Sequence, residues 1–352
     1  MTAGGSASSR PSIIGSPSDR EVDHRRRRRR SRRRSSVRDC GPSEAMPSID
    51  TDDVASNRLN LRVLGTESEH LLTAKPVASS SVVAVIRSDP TGAFARGTLI
   101  GADVPLQRMR VTFLGTGSAL PTGERFQAGI LVQEDGRTVL IDCGAGALQR
   151  LQQSGVGYEG VSTVLLTHHH LDHVSDLLPL VKARWLAGED HLEVVGPQGT
   201  KALLDDLLAV HEYMQDKIDL QVREVVPGEF SVAGFDVSAY ETRHSLPCLA
   251  YRFDDRFTFS GDSEAFEGLA NFAEGSAILA HDCSFPDGVD VSNHPTPDSL
   301  GRALAGREIG RVYLTHLYPH TEGQHEEMLE SIGAHYDGDV RFAEDLQTIS
   351  IE

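Results

Sequence analysis

The 352-residue chain is long enough for two domains of ordinary size, although one large α/β domain is an alternative. Its formal net charge of −17 is unevenly spread: residues 1–108 carry 18 Lys+Arg against 12 Asp+Glu, whereas residues 109–352 carry 16 against 39, a net of −23. No apolar run approaches the roughly 18 residues that a membrane helix needs, and four scattered cysteines exclude a disulfide framework or a cysteine zinc knuckle.

The acidic stretch contains only three lysines, Lys182, Lys201 and Lys217. Such a surface repels itself at low salt and is tolerated where ions screen it. We therefore expect a salt-rich cytoplasm, as in a halophilic microbe. The unpaired cysteines suit a reducing compartment, which also favours a cytoplasmic location without membrane contact.

Residues 1–108 are predicted to be a mostly disordered extension rich in Arg and Ser. Nine of the ten residues 25–34 are arginines, which predicts a solvated tail, with contact to nucleic acid phosphates as the alternative. A short strand is predicted at 81–86. Because charge sign and patterning both change at Met109, a misassigned start codon, with Met109 as the true start, is a further hypothesis.

Strands alternate with helices from Met109 onward. Strands are predicted at 110–115, 128–132, 138–142, 164–166, 192–195, 220–225, 235–239, 249–253, 257–260, 277–280, 311–315 and 348–351. Helices are predicted at 145–153, 172–186, 200–211, 264–272, 297–305 and 324–331. This alternation favours a layered α/β domain over residues 109–352, and the hairpin-like pairs argue against one purely parallel sheet.

A cluster of histidines follows the apolar run Val164-Leu165-Leu166. Four histidines and one aspartate occupy the six positions 168–173, out of 15 histidines in the chain. Histidine nitrogen and carboxylate oxygen are ligands of zinc and similar metals, and α/β proteins place ligands where strands end. The pattern His-x-His-x-Asp-His therefore predicts a metal site.

Other apolar strands of the domain also end in a side chain that can bind metal. Asp142 follows Ile141, Asp262 follows Phe259-Ser260-Gly261, and His316 follows Leu314-Thr315, while His244 lies just beyond the strand that begins at Phe235. Polar residues end strands everywhere, but this recurrence predicts a shared rim where loops converge on one pocket.

The domain carries these features as motifs in a defined order. They are Phe-Leu-Gly-Thr-Gly-Ser (113–118), Leu-Ile-Asp-Cys-Gly (140–144), Leu-Thr-His-His-His-Leu-Asp-His (166–173), Phe-Ser-Gly-Asp (259–262) and Leu-Thr-His (314–316). Residues 109–352 thereby resemble the metallo-β-lactamase superfamily of hydrolases, and within it the ribonuclease Z-like branch. The resemblance implies a four-layer αββα sandwich with a dinuclear metal site on one edge.

The resemblance also implies which residues hold the two divalent ions. The first ion would be held by His168, His170 and His244, the second by Asp172, His173 and His316, with Asp262 bridging both. Asp142 would support the site by holding ligating histidines in orientation, and His169 would point away. Zinc is the default metal for His and Asp ligands, with manganese or iron as alternatives.

Catalytic groups follow from the same resemblance. The segments His281-Asp282-Cys283-Ser284 and Asn293-His294-Pro295-Thr296 match places where the branch carries a carboxylate and a histidine near the leaving group. His294 would protonate the departing oxygen and Asp282 would orient it. A hydroxide bridging the metals would attack the phosphorus, and Asp172 would accept a proton from the attacking water.

The substrate is less defined. The chain lacks the long Gly/Pro-rich arm of dedicated tRNA 3′-processing enzymes, and its acidic domain has no basic patch for tRNA. A phosphodiester, either a small molecule or an RNA 3′ end, is expected. An arylsulfatase-like or other ester hydrolase and a non-catalytic metal-binding or nucleic-acid adaptor are alternatives. A homodimer is suggested by the resemblance alone.

Overall fold

The computed structural model describes residues 60–64, 70–75, 82–86 and 108–352. The first three segments are β1 (Asn60–Leu64), β2 (His70–Lys75) and β3 (Val82–Ile86), which form one sheet in that order. β3 lies where a strand was predicted at 81–86. The arginine-rich tract and most of the extension predicted to be disordered lie outside the described residues.

A seven-stranded sheet, sheet one, forms most of the first half of the remaining chain. Its strands are β4 (Met109–Gly115), β5 (Gly129–Glu134), β6 (Arg137–Ile141), β7 (Thr163–Leu165), β8 (His191–Gly196), β9 (Asp219–Glu224) and β17 (Thr348–Ile351). They lie in the order β17–β4–β5–β6–β7–β8–β9, antiparallel from β17 to β6 and parallel from β6 to β9.

Sheet two forms the second half and also has seven strands. They are β10 (Gly228–Val232), β11 (Phe235–Glu241), β12 (Leu249–Phe253), β13 (Phe257–Phe259), β14 (Ile278–Asp282), β15 (Val312–Thr315) and β16 (Val340–Phe342). They lie in numerical order, antiparallel from β10 to β13 and parallel from β13 to β16.

Helices cover the outer face of each sheet. They are α1 (Ala147–Gln153), α2 (Leu171–Val174), α3 (Leu177–Ala187), α4 (Thr200–Val210), α5 (Glu267–Ala273), α6 (Pro297–Leu304) and α7 (His325–Gly333). α1, α3 and α4 share one buried cluster with sheet one, and α5, α6 and α7 share another with sheet two. A third cluster joins the inner faces of both sheets. The predicted αββα sandwich is confirmed.

The pattern of β6 shows how the sequence produces these layers. Val139 and Ile141 belong to the core between the sheets, whereas Leu140 belongs to the cluster under the helices. Successive side chains of a strand point to opposite faces, so a strand that is covered on both faces must be apolar throughout. This explains why the fully buried part of β6, Val139-Leu140-Ile141, contains no polar residue.

β1 and β2 were not predicted, and within residues 109–352 two further strands and one helix differ from the sequence expectation. β10 and β16 were not predicted, and both are edge strands whose residues are partly exposed, so they lack an apolar run. The helix predicted at 172–186 is broken between α2 and α3. Asp176 lies at the break, where its Oδ2 accepts hydrogen bonds from the backbone N–H groups of Gly146 (2.8 Å) and Leu148 (3.1 Å) at the start of α1.

Loops at the carboxyl ends of β6, β7, β11, β13, β14 and β15 meet along one edge of the sandwich. Two hydrogen bonds join the sheets there: Leu249 N–H donates to Thr167 O (3.1 Å), and the Tyr251 hydroxyl donates to Leu166 O (2.8 Å). The predicted metal-ligating residues lie on these loops. Within the described part of the chain, no helix is both long and apolar enough to cross a membrane.

Candidate metal centre

Three residues at the centre adopt a left-handed backbone conformation that side chains other than glycine rarely adopt. Asp142 (φ 57°) follows β6, His316 (φ 59°) follows β15, and Asn293 (φ 69°) precedes His294. Such residues concentrate at functional sites because the surrounding structure must stabilise their strain. Each turns the chain sharply, so that a polar group enters the space between the sheets.

The first group of candidate ligands contains three histidines around one carboxylate. His170 Nδ1 lies 3.0 Å from both His168 Nε2 and His244 Nε2. Asp262 Oδ2 lies 3.6 Å from His168 Nε2 and 3.9 Å from His244 Nε2. Four converging donors of this type can hold one divalent cation.

The second group lies directly beside the first. His316 Nε2 is 3.1 Å from Asp172 Oδ2, and His173 Nε2 is 3.8 Å from the same atom. Asp262 is close to this group as well, at 3.4 Å from His173 Nε2 and 3.3 Å from His316 Nε2. The structure therefore brings all seven predicted ligands together in two groups, with Asp262 between them.

Two buried atoms of the centre test whether it fits metal ions. His173 Nε2 and Asp262 Oδ1 are shielded from solvent, and neither has a hydrogen-bond partner within the described structure. An unpaired buried polar atom costs free energy unless something binds it. Both atoms are typical metal ligands, so the residues present fit a divalent cation.

On the sheet-one side, Asp142 fixes the orientation of two histidines. Its Oδ2 accepts hydrogen bonds from His173 Nδ1–H and from the Thr167 hydroxyl, both at 2.8 Å, while Oδ1 accepts from Thr167 N–H (2.7 Å). Thr167 Oγ1 in turn accepts from His168 Nδ1–H at 3.0 Å. Because Nδ1 carries the proton in both rings, Nε2 of His168 and of His173 keeps its lone pair for a metal.

Asp282 has the corresponding position on the sheet-two side and is fully buried. Its Oδ2 accepts from His294 Nδ1–H (2.7 Å), and its Oδ1 accepts from the Ser284 hydroxyl (2.6 Å). Ser284 Oγ then accepts from His316 Nδ1–H (2.9 Å). His316 Nε2 is thus free for a metal, and His294 Nε2 is free to serve a ligand in the pocket.

The remaining two histidines of the region differ in direction. His244 Nδ1–H donates to the carbonyl of Asn293 (3.1 Å), which again leaves Nε2 facing the centre. His169 points away, and its Nε2–H donates to Thr200 Oγ1 (2.8 Å) at the first residue of α4. The Thr200 hydroxyl in turn donates a hydrogen bond to the carbonyl of Pro197 (2.7 Å).

With this geometry established, comparison with known proteins is informative. A family model described as anti-Pycsar protein Apyc1 matches residues 109–344. The chain belongs to the Apyc1 family. It is also similar to a ribonuclease Z of Mycobacterium avium, with 30% identity over 276 residues that cover 69% of this chain and 99% of the relative. A ribonuclease Z of Haloferax volcanii is 26% identical over 303 residues, covering 69% and 95%.

Solved structures agree on the fold of this Apyc1-family chain. The metallo-β-lactamase-fold protein YhfI of Bacillus subtilis has a TM-score of 0.61 and 24% identity, covering 69% of this chain and 100% of YhfI. The short form of human tRNase Z has a TM-score of 0.57 and 22% identity, with the same coverage of each chain. The predicted metallo-β-lactamase-fold, ribonuclease Z-like protein is confirmed, as is the predicted metal-dependent hydrolase of ester bonds.

Charge within the centre of the Apyc1-family chain is unevenly distributed. Burial holds the pKa of His168 well below its usual range, which favours the neutral, metal-binding form. Burial alone would raise the pKa of Asp262, but His316, His173 and His168 outweigh it and hold that pKa well below normal. For His294, burial lowers the pKa, but the carboxylates of Asp282 first, and then of Asp262 and Asp172, together outweigh burial and raise the pKa to about 9.

The mouth of the centre is a cavity of about 340 Å³. It is lined by Ala119, His170, Leu171, Asp172, His244, Ser245, Asp262, Asn293, His294, His316 and Tyr318. No lysine or arginine is among these described residues. Leu171 is 78% exposed at this rim, and the Tyr318 ring stacks on Phe285 with centroids 4.5 Å apart. Among these lining residues, only the histidines, together with any bound cations, offer positive charge to a substrate.

Sequence reasoning missed four contributors to the centre. Thr167 and Ser284 supply hydroxyls, Asn293 supplies a carbonyl, and Tyr318 supplies an aromatic wall. Thr167 and Ser284 lie within or beside the recognised motifs, but a hydroxyl carries no metal-binding signal. What marks Thr167 and Ser284 as part of the centre is their contact with the carboxylates of Asp142 and Asp282. That contact becomes visible only in the folded structure.

Proposed function

We propose that this chain is a dinuclear metal-dependent phosphodiesterase of the ribonuclease Z-like type. One observation carries the proposal: seven histidine and aspartate donors converge between the sheets, with His173 Nε2 and Asp262 Oδ1 buried 3.4 Å apart and unpartnered. The first ion is assigned to His168, His170 and His244 and the second to Asp172, His173 and His316, with Asp262 shared. Zinc is the favoured metal, as in the Zn²⁺-bound PqqB of Methylobacterium extorquens, which has the same fold.

When bound, the two cations would stabilise negative charge on the phosphoryl oxygens and ease deprotonation of a water molecule. Asp172 is assigned to accept a proton from that water as its oxygen bonds to phosphorus. His294 lines the same pocket as Asp172, and its Nε2–H is assigned to protonate the departing oxygen as the P–O bond breaks. Asp282 holds the His294 ring by a 2.7 Å hydrogen bond, and its charge favours the protonated form that this step needs.

The lining of the cavity supports a small phosphodiester over a long RNA. Its volume of about 340 Å³ lies at the low end for small-molecule sites. Proteins that bind nucleic acid backbones contact the phosphates with Lys and Arg, and none of the described lining residues is of that type. The rim instead offers Leu171 and the stacked pair Tyr318 and Phe285. An RNA 3′ end remains the second candidate because the curated relatives are named ribonuclease Z.

A substrate panel tests the proposal. The full chain, stripped of metal and reloaded with Zn²⁺ or Mn²⁺, is given bis(p-nitrophenyl) phosphate, a cyclic mononucleotide, a 3′-extended tRNA precursor and an aryl sulfate. Wild type should cleave phosphodiesters and leave the sulfate intact, while D262A and H173A should lose bound metal and turnover together. Activity on the sulfate alone would favour the arylsulfatase-like alternative, and activity retained without metal would reject the scheme.

The name of the matching family, anti-Pycsar protein, supports a biological role in opposing Pycsar. Expressing the chain or its D262A variant beside a Pycsar system tests this role. Wild type should oppose Pycsar and D262A should not. If neither does, the role is refuted while the hydrolase proposal stands on the substrate panel.

A further inference from the structure

Ser284 lies on the sheet-two side of the centre, where it contacts both the candidate ligand His316 and Asp282, the residue that holds His294. It is fully buried, and its hydroxyl donates to Asp282 Oδ1 (2.6 Å) while accepting from His316 Nδ1–H (2.9 Å). The other oxygen of Asp282 accepts from His294 Nδ1–H (2.7 Å). The rings of His294 and His316 stack with centroids 5.3 Å apart and planes 14° apart. The Asp282 carboxylate therefore holds the His294 ring directly and the His316 ring through the Ser284 hydroxyl.

Sheet one contains the same arrangement. Asp142 holds His173 directly (2.8 Å) and holds His168 through the Thr167 hydroxyl (2.8 and 3.0 Å). Asp142 and Thr167 are fully buried, as Asp282 and Ser284 are. Each sheet thus contributes a buried carboxylate, a buried hydroxyl and two histidines that present Nε2 to the centre.

The Asp142 group and the Asp282 group differ in the roles that the proposed function gives to their histidines. This inference rests on that proposed function. Both rings held by Asp142 are assigned as metal ligands. Of the two rings held by Asp282, His316 is assigned as a ligand and His294 as the proton donor. We infer that Ser284 is a positioning residue that couples the second metal ion to the proton donor, because it fixes Asp282 and His316 at once.

Ser284 also restrains the carboxylate of Asp282. A free carboxylate rotates about its side-chain bonds, but here each oxygen has a separate partner. Ser284 occupies Oδ1, which leaves Oδ2 directed at His294; Ser263 N–H adds a longer contact to Oδ2 (3.3 Å). Without the hydroxyl, Oδ1 and His316 Nδ1 both lose a partner, so both rings lose orientation.

The first test measures metal binding rather than turnover. The full chain is titrated with a chromophoric Zn²⁺ chelator, which resolves the affinity of each of the two ions. S284A should lower the affinity of the protein for one of the two ions about 10- to 100-fold, as is usual when the hydrogen-bond partner of a ligating histidine is lost. T167V should lower the affinity for the other ion by a similar factor, since the Thr167 hydroxyl holds His168 of the other group, while Thr167 N–H still fixes Asp142 for His173.

The second test measures proton donation at saturating metal. A p-nitrophenolate leaves without a proton, whereas the alkoxide of a cyclic mononucleotide must be protonated as it departs. The ratio of kcat/KM for bis(p-nitrophenyl) phosphate to that for the cyclic mononucleotide reports this need. The ratio should rise about tenfold or more in S284A and stay near the wild-type value in T167V, while S284T, which keeps the hydroxyl, should restore it.

Ser276 supplies a matched control, because it is also a buried serine with one hydroxyl partner, Thr258 Oγ1 (2.7 Å), but lies before β14 and away from the centre. S276A should change neither readout. If S284A behaves like S276A in both tests, the inference is wrong. If S284A weakens an ion without altering the ratio, the coupling to His294 is overturned. Should wild type cleave no phosphodiester, the proposed function fails, while the metal titration still decides the link between Ser284 and His316.

Discussion

His168, His169 and His170 are adjacent in sequence, yet only the outer two face the centre. His169 Nε2–H donates to Thr200 Oγ1 at the start of α4 instead. We therefore expect H169Q to keep the full metal content of wild type and to lose about 1 kcal/mol of unfolding free energy, the usual contribution of one hydrogen bond. Metal analysis after dialysis and urea unfolding measure the two effects.

H170Q provides the comparison, since His170 Nδ1 lies 3.0 Å from two other candidate ligands. This variant should lose metal while its metal-free form unfolds much as wild type does. An H169Q protein that lost as much metal as H170Q would contradict the orientation of both rings.

The charge of Asp282 gives His294 a testable pH dependence. Burial lowers the pKa of His294, but the Asp282 carboxylate, with further contributions from Asp262 and Asp172, outweighs burial and raises the pKa to about 9. A proton donor works only when protonated, so turnover of a substrate with an alkoxide leaving group should fall as pH rises through this pKa. Bound divalent cations lower the pKa somewhat by repulsion. In D282N the opposing charge is gone, and the fall should move to lower pH by about one to three units.

Profiles of kcat/KM against pH, recorded at saturating metal, check this prediction. The p-nitrophenyl substrate serves as the control because its leaving group needs no proton, so its alkaline limb should be the same in both proteins. Alkaline limbs that coincide for the alkoxide substrate too would mean that another group donates the proton.

At this scale the ligands and the supporting carboxylates Asp142 and Asp282 were predictable, whereas the hydroxyls that support them were not. Histidine and aspartate after apolar strands predict metal binding by residue type alone. Thr167 and Ser284 have no such signal, because hydroxyls end strands throughout the chain. Their importance comes from a neighbour far away in sequence: Ser284 meets His316 across 32 positions. That pairing depends on β14 and β15 lying side by side.

Elements buried on both faces were predicted best. The ends of β6 (139–141) and β7 (164–165) are apolar because core lies on each side, and the two-residue turn Asp135-Gly136 between β5 and β6, with both φ positive, is typical of a hairpin. β10 and β16 were missed because an edge strand has one open side and needs fewer apolar residues. Local sequence thus indicates a strand mainly where the core covers it.

Gly144 determines how closely α2 approaches β6. A Cβ at this position would lie 1.9 Å from the carbonyl oxygen of Asp172, a backbone atom that cannot yield without moving a candidate ligand. We expect G144A to lower the unfolding free energy by about 1–3 kcal/mol, as overpacking does, and to weaken metal binding as well. Chelator titration and urea unfolding would measure both losses.

Gly333, the last residue of α7, gives the matched control. A Cβ there meets no atom within 4 Å, and its φ is not in the left-handed range. G333A should leave metal binding unchanged and stabilise the fold slightly, because alanine loses less backbone entropy than glycine. Metal binding that is equally strong in G144A and G333A would show that α2 tolerates displacement.

The two sheets are also joined by an ion pair. Arg256, between β12 and β13, donates to both oxygens of Glu134 at the end of β5, at 2.9 and 2.7 Å. The hydrogen bond from Arg256 lowers the pKa of Glu134 below its ordinary value. A lowered folded pKa contributes stability that is present above the unfolded pKa of about 4.3. That contribution disappears as pH falls through the folded pKa.

E134Q should therefore cost about 2 kcal/mol of unfolding free energy at pH 7, the range for hydrogen bonds to charged groups. The difference from wild type should shrink as the pH approaches 3. E229Q, at an exposed glutamate of β10, removes the same charge without this pairing and should cost little. Urea unfolding at several pH values measures all three proteins, and a cost for E134Q that did not vary with pH would refute the linkage.

The whole chain carries an excess of acidic groups, with a net charge of −23 over residues 109–352. Folding brings these carboxylates together, so their repulsion opposes the native state more than the unfolded chain. Salt shortens the distance over which they interact, from about 10 Å at 0.1 M to about 3 Å at 1 M. We expect the urea midpoint of the full chain to rise between 0.1 M and 1 M KCl and then to change little, because screening is nearly complete.

Sucrose is the control, because it stabilises proteins by exclusion from their surface and does not screen charge. If screening is the cause, sucrose should not reproduce the rise that KCl produces up to 1 M. A midpoint that is highest at 0.1 M KCl would reject both the electrostatic account and the predicted salt-rich cytoplasm.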